Sequence, residues 1–149
     1  LADYTITVGT ENIGSLQRLR ESDNQRVRIQ SEFGFSVLEP DLTEIVIGAT
    51  TAVEDPIRLD LTIEDKIDHP TGTVRVWLRD WNAGFYDQAQ QYAANPTETS
   101  RTFESIPNPA DYVRDSDGRV QVRLRHVVLA VFSAFGFETW IDQVKVDVY

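Results

Sequence analysis

At 149 residues the chain has the length of one domain and can bury most of a compact core, and no apolar run approaches the ~18 residues needed to cross a bilayer. Its 24 acidic residues outnumber the 14 basic ones, giving a net charge of −10, which argues against binding to nucleic acid or to an anionic membrane because both need a basic face. The absence of cysteine excludes disulfides, thiolate zinc sites and a cysteine nucleophile.

Apolar and polar residues alternate through most of the chain, which is typical of strands with one face on a core and the other in water. The alternating runs are, in chain order, YTITV (4–8), RVRIQSEFGF (26–35), IRLDLTIE (57–64), VRVWLR (74–79), RVQVRLR (119–125) and TWIDQVKVDVY (139–149). Between the first two runs, the segment 12–25 predicts a short turn with Leu16 and Leu19 facing inward. The segment 87–95 predicts a strand followed by a loop, and the apolar run 127–135 predicts a buried strand.

Turn-forming residues separate these runs. They occur as EPD (39–41), EDP (54–56), HPTG (69–72) and NPADYVRDSDG (108–118). Many short strands with one apolar face each predict two antiparallel sheets packed face to face. We therefore expect residues 1–149 to form a single antiparallel β-sandwich of about eight strands.

The sequence contains no recognisable catalytic constellation. It has no G-x-S-x-G elbow and no glycine-rich phosphate loop, and we expect His69 and His126 to be ordinary surface or partly buried residues. Glu138 and Asp142 share a strand face, but at ~3.3 Å per residue they are separated by ~13 Å. This exceeds the ~5–9.5 Å between the paired carboxylates of glycosidases, so we do not expect an enzyme.

Asp142 is the unusual residue of the last run. Its parity matches that of Trp140, Val144, Val146 and Val148, so we expect it to point toward the apolar face. A buried carboxylate needs a partner, because an unpaired charge costs several kcal/mol. A neighbouring backbone turn or an arginine would provide one, and so would a bound Ca²⁺, which collects carboxylate and carbonyl oxygens.

The segment 74–88 carries a cluster of aromatic residues. Trp77 and Trp81 have the parity of the arginines rather than that of the core residues. Exposed aromatic rings stack on sugar rings or fill protein interfaces, which makes Trp77, Trp81 and Tyr86 candidate ligand-binding residues. The alternative is that Trp81, Phe85 and Tyr86 fold over a sheet edge and close the sandwich, and we favour this alternative for Phe85 and Tyr86.

Five segments carry a wider resemblance. They are YTITVGT (4–10), GSLQRLRESDNQRVRIQS (14–31), VWLRDWNAGFYD (76–87), NPADYVRDSDGRVQVRLR (108–125) and WIDQVKVDVY (140–149). Together they resemble a family of β-sandwich accessory modules at the C-terminal ends of large secreted or surface-attached bacterial and archaeal proteins. The resemblance implies a jelly-roll or galactose-binding-like sandwich, usually without catalytic activity.

The last strand is also similar to that of carbohydrate-binding modules with this fold. Such modules often hold a structural calcium through an aspartate near the final strand, and Asp142 is the matching position. The resemblance makes Glu11, Asn12 and Ser15, near the first strands, candidates for completing the site. A structural Ca²⁺ is therefore the one cofactor that the sequence brings into consideration.

The first residue is a leucine, which indicates a processed chain or a fragment of a larger protein. We expect a non-catalytic module of a secreted or cell-surface protein that acts in adhesion, ligand binding or spacing. One alternative is a carbohydrate-binding module with Trp77 and Trp81 as a sugar platform, and a second is a subunit of an extracellular or viral assembly. The expected partners are a polysaccharide or neighbouring domains of the same chain, with no nucleic acid and no membrane insertion.

Overall fold

The computed structural model describes residues 1–32, 40–129 and 136–149, and strands dominate these ranges. The strands are β1 (Asp3–Val8), β2 (Thr10–Ile13), β3 (Val27–Gln30), β4 (Asp41–Thr50), β5 (Leu59–Ile67), β6 (Gly72–Arg79), β7 (Tyr86–Ala94), β8 (Thr99–Phe103), β9 (Arg119–Val128) and β10 (Glu138–Val148). The described helical segments are a 3₁₀ turn at Leu16–Leu19 and a one-turn helix, α1, at Pro109–Tyr112. Neither has the length and apolar character that a membrane span requires.

Within the described ranges the ten strands form two five-stranded sheets in which every pairing is antiparallel. Sheet A has the order β1-β4-β9-β6-β7, and sheet B has the order β2-β3-β10-β5-β8. The expected antiparallel β-sandwich is confirmed. It has more than the expected eight strands because the short β2 and β8 lie in TENI and TSRTF, which show no apolar alternation.

One apolar core lies between the two sheets. From sheet A, β9 buries Val122 and Leu124 while their neighbours in sequence are only half-buried. From sheet B, β5 buries Leu61 and Ile63 completely. Burial of each such side chain contributes ~1.5–3 kcal/mol. The alternation therefore fixes which face of each strand points inward, and so which face remains available to a ligand.

The segment before β3 packs as the sequence predicts. Leu19, in the 3₁₀ turn, is fully buried, and Leu16 is half-buried. The turn lies against β10, where the side-chain amide of Gln143 donates a hydrogen bond to the Arg20 carbonyl at 3.4 Å. This packing carries the following residues, including Asn24, to the middle of β10.

A β-bulge in β10 changes the parity expected for the last strand. The register with β5 shifts between Ile141 and Gln143, which leaves Asp142 as the extra residue. Ile141 before the bulge and Val144 after it are both buried, whereas Trp140 lies on the outer face. The expectation that Trp140 shares a face with Val144 is therefore wrong, because one inserted residue reverses the alternation.

Other expectations about single residues also need correction. His126 is 1% exposed and His69 is 9% exposed, so both are buried rather than ordinary surface residues. Ile57 is 85% exposed and precedes β5, so the core alternation of that run begins at Leu59. Phe85 is 55% exposed and does not close the sandwich.

Two expectations fall outside the described residues. The inward positions of Phe33 and Phe35 lie in the range 33–39, which the structure does not describe. The same holds for 130–135, the greater part of the buried strand expected at 127–135. The start of that run is described, and it forms the end of β9.

Candidate functional site

The strongest candidate site lies on the outer face of sheet A, the face turned away from sheet B. Since the apolar residues of β6 and β9 point into the core, their outward positions carry polar and aromatic side chains. Trp77 lies opposite Arg123 in the register of these two strands, and Arg75 lies opposite Arg125. We call the surface formed by Arg75, Trp77, Arg79, Tyr86, Arg123 and Arg125 the arginine–aromatic face.

Trp77 is the central aromatic residue of this face. Its ring centroid lies 5.2 Å from the Arg123 guanidinium carbon and 5.4 Å from that of Arg125. Both distances are within the ~6 Å range of a cation–π contact. The indole is half-buried, so part of its surface stays open to solvent. The sequence prediction that Trp77 lies on the arginine face is confirmed.

Tyr86 reaches this face from the neighbouring strand. It begins β7, which confirms a strand in this segment, and it pairs with Arg79 of β6. The Arg123 guanidinium lies 3.9 Å from its ring centroid, and that of Arg79 lies 5.4 Å away. Its hydroxyl donates a hydrogen bond to Gln121 Oε1 on β9 at 3.2 Å. Tyr86 thus lies across β6 rather than around the edge of the sandwich.

Trp81 follows the end of β6 and extends the same row of side chains. Its ring centroid lies 4.5 Å from the Arg114 guanidinium and 5.8 Å from that of Arg79. Its backbone N–H donates to the Asp111 carbonyl at 2.9 Å, which anchors it beside α1. The buried indole Nε1 has no hydrogen-bond partner among the described residues. The indole N–H of Trp81 is therefore shielded from solvent, although the residue as a whole is half-buried, as Trp77 is.

The structure brings the three predicted aromatic residues into one row. Guanidinium groups and rings alternate along it in the order Arg114, Trp81, Arg79, Tyr86, Arg123, Trp77 and Arg125. Sequence parity places tryptophans and arginines on a shared face, but it does not show that Tyr86 crosses β6. That arrangement depends on the register of three strands.

One carboxylate, that of Glu44, borders the arginine–aromatic face on β4. Glu44 Oε2 lies 2.5 Å from Arg125 and 3.9 Å from Arg123, and its Oε1 accepts a hydrogen bond from the Thr7 hydroxyl at 2.7 Å. Arg75 and Arg79 form no ion pair with any described residue. The face therefore has an excess of positive charge.

A second candidate site surrounds Asp142, at the bulge of β10. One oxygen from each of Asp142, Glu64 and Glu98 lies within 4.8 Å of the others. Asp142 is 1% exposed; its Oδ2 accepts a hydrogen bond from the Asn24 backbone N–H at 3.2 Å, and its Oδ1 has no partner among the described residues. Arg26 forms an ion pair with Glu98. These oxygens lie close enough together to share one cation.

The surroundings of Asp142 disfavour its negative charge unless a proton or a cation neutralises it. Burial raises the pKa of Asp142 above its ordinary value, and the nearby Glu98 and Glu64 carboxylates raise it further, against the opposing effects of the Asn24 N–H and the Arg26 guanidinium. Carboxylate oxygens are the ligands that Ca²⁺ prefers. The buried, unpartnered Oδ1 of Asp142 therefore fits a bound cation.

Glu11 and Asn12 engage other partners in the structure. Glu11 Oε2 accepts a hydrogen bond from the Tyr4 hydroxyl at 2.9 Å, and the Asn12 amide donates to Glu138 Oε1 at 2.9 Å. The carboxylates that the structure groups with Asp142 are instead Glu64 and Glu98. No local sequence signal marks these two, because their proximity depends on strand register and on the bulge.

His126 belongs to a buried network that joins the two sheets. Asp65 Oδ2, on β5, contacts His126 Nε2 of β9 at 2.7 Å and accepts a hydrogen bond from the Tyr92 hydroxyl at 2.8 Å. Arg101 donates to Asp65 Oδ1 at 3.2 Å. Burial, with the Asp65 charge, raises the pKa of Tyr92. Sequestered within the sandwich, His126 has a structural position rather than that of a general base.

The fold resembles those of solved carbohydrate-binding modules. A family 61 module in complex with β-1,4-galactotriose matches with a TM-score of 0.57 at 8% identity, over 99% of this chain and 90% of that one. A family 29 carbohydrate-binding module matches with a TM-score of 0.50 at 10% identity, over 98% of this chain and 77% of that one. The chain has the β-sandwich fold of these modules.

A viral protein contains the same fold. The enzymatically active domain of tailspike protein 4 from bacteriophage CBA120 matches with a TM-score of 0.53 at 10% identity, over 99% of this chain but 20% of the tailspike chain. No protein-family model matches the chain, and no curated protein matches it in sequence. At such identities the likeness shows the fold alone, so function has to be argued from the site.

Proposed function

We propose that the chain is a non-catalytic carbohydrate-binding module that uses the arginine–aromatic face as its sugar platform. The observation that carries this proposal is Trp77, a half-buried indole on the open face of a sheet, with the guanidinium donors of Arg123 and Arg125 close to its ring. The apolar side of a sugar ring packs on an aromatic ring, and neighbouring polar groups bond its hydroxyls. The likeness to solved carbohydrate-binding modules supports the proposal through the fold.

The three aromatic residues have different roles in this proposal. Trp77 provides the stacking surface, and Tyr86 extends it along the row. Trp81, anchored beside α1, holds Arg79 from the other side. A sugar chain that followed β6 would contact Trp77 first and reach Trp81 at the end of the strand.

Affinity electrophoresis against a panel of soluble polysaccharides tests the proposal. We expect the wild-type chain to be retarded by at least one polysaccharide, and Trp77→Ala to weaken binding about tenfold or more, equivalent to ~1.4 kcal/mol. The matched control is Trp140→Ala, which removes the outward tryptophan of sheet B. Failure of the wild type to bind any polysaccharide, or equal effects of the two substitutions, would contradict the proposal.

We further propose that Asp142, Glu64 and Glu98 hold a structural Ca²⁺. The support is the buried Asp142 Oδ1, which lacks a partner beside two further carboxylates. A bound Ca²⁺ would neutralise charges that burial otherwise penalises. Isothermal calorimetry with CaCl₂ tests this site, and the absence of a binding isotherm for the wild type would remove calcium from the account.

The setting we propose is a larger secreted or cell-surface protein, in which the module attaches neighbouring domains to a polysaccharide. A similar fold occurs as part of a much longer chain in the phage tailspike. This match also favours the second candidate function, a part of a viral or extracellular assembly. Sedimentation velocity separates the two, because an assembly subunit should associate with rising concentration and a tethered module should stay monomeric.

A further inference from the structure

The charge of the proposed sugar platform differs in sign from that of the whole chain. The chain has a net charge of −10, with 24 acidic residues against 14 basic ones. Yet the described outward positions of β6, β7 and β9 carry five arginines and no carboxylate. Arg119, at the start of β9, forms an ion pair with Asp3 of β1, which leaves Arg75, Arg79, Arg123 and Arg125 on the arginine–aromatic face. A locally positive surface on an acidic protein indicates that its ligand is negatively charged.

Few of these positive charges are neutralised within the protein. Glu44 lies 2.5 Å from Arg125 and 3.9 Å from Arg123, so one carboxylate serves two guanidiniums. Arg79 rests against the rings of Trp81 and Tyr86, which leaves its charge uncompensated. Arg75 is exposed and has no ion-pair partner among the described residues.

The hydrogen-bonding character of the face also discriminates between ligands. A guanidinium group has five N–H donors and no acceptor, and its planar fork matches the two oxygens of a carboxylate or sulfate. Neutral sugars present hydroxyl groups that need acceptors as well as donors. Besides Tyr86, the described acceptors around Trp77 are the Glu44 carboxylate, which already contacts Arg123 and Arg125, and amides such as those of Gln88 and Gln121. Four guanidiniums therefore provide many more donors than a neutral sugar requires.

The spacing along β6 suits a charged chain that runs over Trp77. Arg75 and Arg79 are each two residues from Trp77 on the same face of one strand. At ~3.3 Å per residue they lie ~7 Å to either side of the indole. A polysaccharide that stacked one sugar on Trp77 would place acidic groups of the flanking sugars near both guanidiniums.

From these observations we infer that the polysaccharide bound by the arginine–aromatic face is anionic, with uronate carboxylates or sulfate esters as the recognised groups. The inference deepens the proposed carbohydrate binding and rests on it. The shared chemistry is a planar or tetrahedral oxyanion next to a sugar ring. Binding to an acidic polypeptide is a different outcome, which the experiment distinguishes.

The test compares charged polysaccharides with neutral counterparts on the intact chain. Affinity is measured by isothermal calorimetry for polygalacturonate against galactan, and for dextran sulfate against dextran. We expect at least one anionic member of these pairs to bind about tenfold or more tightly than its neutral partner, and rising salt to weaken that binding. Preference for polygalacturonate would identify carboxylate recognition, and preference for dextran sulfate would identify sulfate recognition.

Substitutions connect this preference to the face. Arg75→Gln should weaken binding to the preferred anionic polysaccharide about five- to tenfold, because one charge-assisted contact is lost. Arg18→Gln, in the 3₁₀ turn, makes the same change of net charge away from the face and should leave the affinity within about twofold. Trp77→Ala should weaken binding as well, since a sugar ring as well as a charge is recognised.

Three results would overturn the inference. Tight binding to galactan or dextran that depends on Trp77 but not on Arg75 would leave the sugar platform standing and reject its anionic specificity. Binding of poly-L-glutamate as tight as that of polygalacturonate, with no effect of Trp77→Ala, would show general attraction of polyanions. No binding of any polysaccharide would reject both this inference and the proposed function.

Discussion

The two sheets each present a tryptophan on their outer face, and the surroundings of the two rings differ. Trp77 on sheet A lies close to Arg123 and Arg125, and no described carboxylate accepts a hydrogen bond from its indole N–H. Trp140 on sheet B lies 3.8 Å from Lys66 Nζ and donates its indole N–H to Glu138 Oε2 at 2.5 Å. Both tryptophans thus lie beside cations, but only the indole N–H of Trp140 is bonded to a carboxylate of the protein.

Glu138 accounts for this difference. The same carboxylate that fixes Trp140 also accepts hydrogen bonds from Arg28 and Asn12. Its charge offsets that of Arg28, which lies over the same indole as Lys66, and its Oε2 accepts the indole N–H, so the polar group of Trp140 is already bonded within the protein. On sheet A the four guanidiniums of Arg75, Arg79, Arg123 and Arg125 share one carboxylate, that of Glu44, which contacts Arg123 and Arg125. An aromatic residue becomes a candidate binding surface where its neighbours keep unused charge and hydrogen-bonding capacity.

The largest expected effect is a loss of stability of the whole sandwich, on which both outer faces depend. Asp65→Ala would leave His126, Tyr92 and Arg101 without their shared acceptor, and we expect it to lower the free energy of unfolding by about 3–5 kcal/mol. Because both sheets belong to one sandwich, the outer faces of sheet A and sheet B should unfold together. Urea denaturation followed by tryptophan fluorescence measures the change.

Thr43→Val is the matched control for this experiment. Thr43 and Thr139 also link the two sheets, through a buried hydroxyl–hydroxyl hydrogen bond of 2.8 Å that involves no charge. We expect its loss to cost about 1 kcal/mol. If Asp65→Ala cost no more than Thr43→Val, the buried network would not be the main polar link between the sheets.

Stabilisation by Ca²⁺ should depend on sheet B, which contains Asp142, and not on the aromatic face of sheet A. Ca²⁺ at about 100 times its dissociation constant should stabilise the wild type by about 2.7 kcal/mol, because it binds the folded state at Asp142. Asp142→Asn should abolish this stabilisation, whereas Trp77→Ala should retain it. Thermal melting with CaCl₂ or with a chelator measures the shift, and equal shifts in wild type and Asp142→Asn would place the metal elsewhere.

A smaller effect is the pH dependence of stability, which should differ between two carboxylates of sheet B, Glu138 and Asp142. Burial raises the pKa of Glu138, but the hydrogen bonds from Arg28, Asn12 and Trp140 outweigh burial, so the pKa is lower than its ordinary value. The charged form of Glu138 therefore stabilises the fold at pH values above the ordinary pKa. That stability is lost as the pH falls through the lowered pKa. Glu138→Gln should therefore cost about 2 kcal/mol at pH 7 and progressively less on acidification.

Asp142 should show the opposite behaviour in metal-free protein. Its raised pKa means that the folded state holds the proton more tightly, so stability from this group falls as the pH rises from the ordinary value through the raised one. Asp142→Asn should accordingly stabilise the metal-free chain at pH 7 and lose that advantage at low pH. Urea midpoints across the pH range measure both variants, and parallel profiles for the two would contradict this distinction.

Local alternation predicted the sandwich and the outward position of Trp77 on sheet A. The parity of Trp77 relative to the buried residues of β6 is visible in five residues of sequence. The register with β7 shifts between Val76 and Trp77, but the extra residue, Ala89, lies on β7 and the alternation of β6 stays regular. The inward faces of β5 and β9 follow from the same rule.

The same rule failed for the last strand. The bulge at Asp142 reversed the parity of Trp140, and nothing in the sequence TWIDQVKV reports an extra residue. Glu64 and Glu98 were not predicted for the metal cluster because they join Asp142 through strand register and through a loop that folds onto the sheet. Long-range pairing, rather than local preference, decides such sites.

The alternating row of rings and guanidiniums has a consequence for the entropy of recognition. Arginine side chains are ordinarily mobile, and each one immobilised on binding costs about 0.5–1.5 kcal/mol. Arg123 is already held between Trp77 and Tyr86, and Arg79 between Tyr86 and Trp81, before any ligand arrives. The protein has thus met much of this ordering cost during folding, and in the proposed complex the polysaccharide would be the more flexible partner.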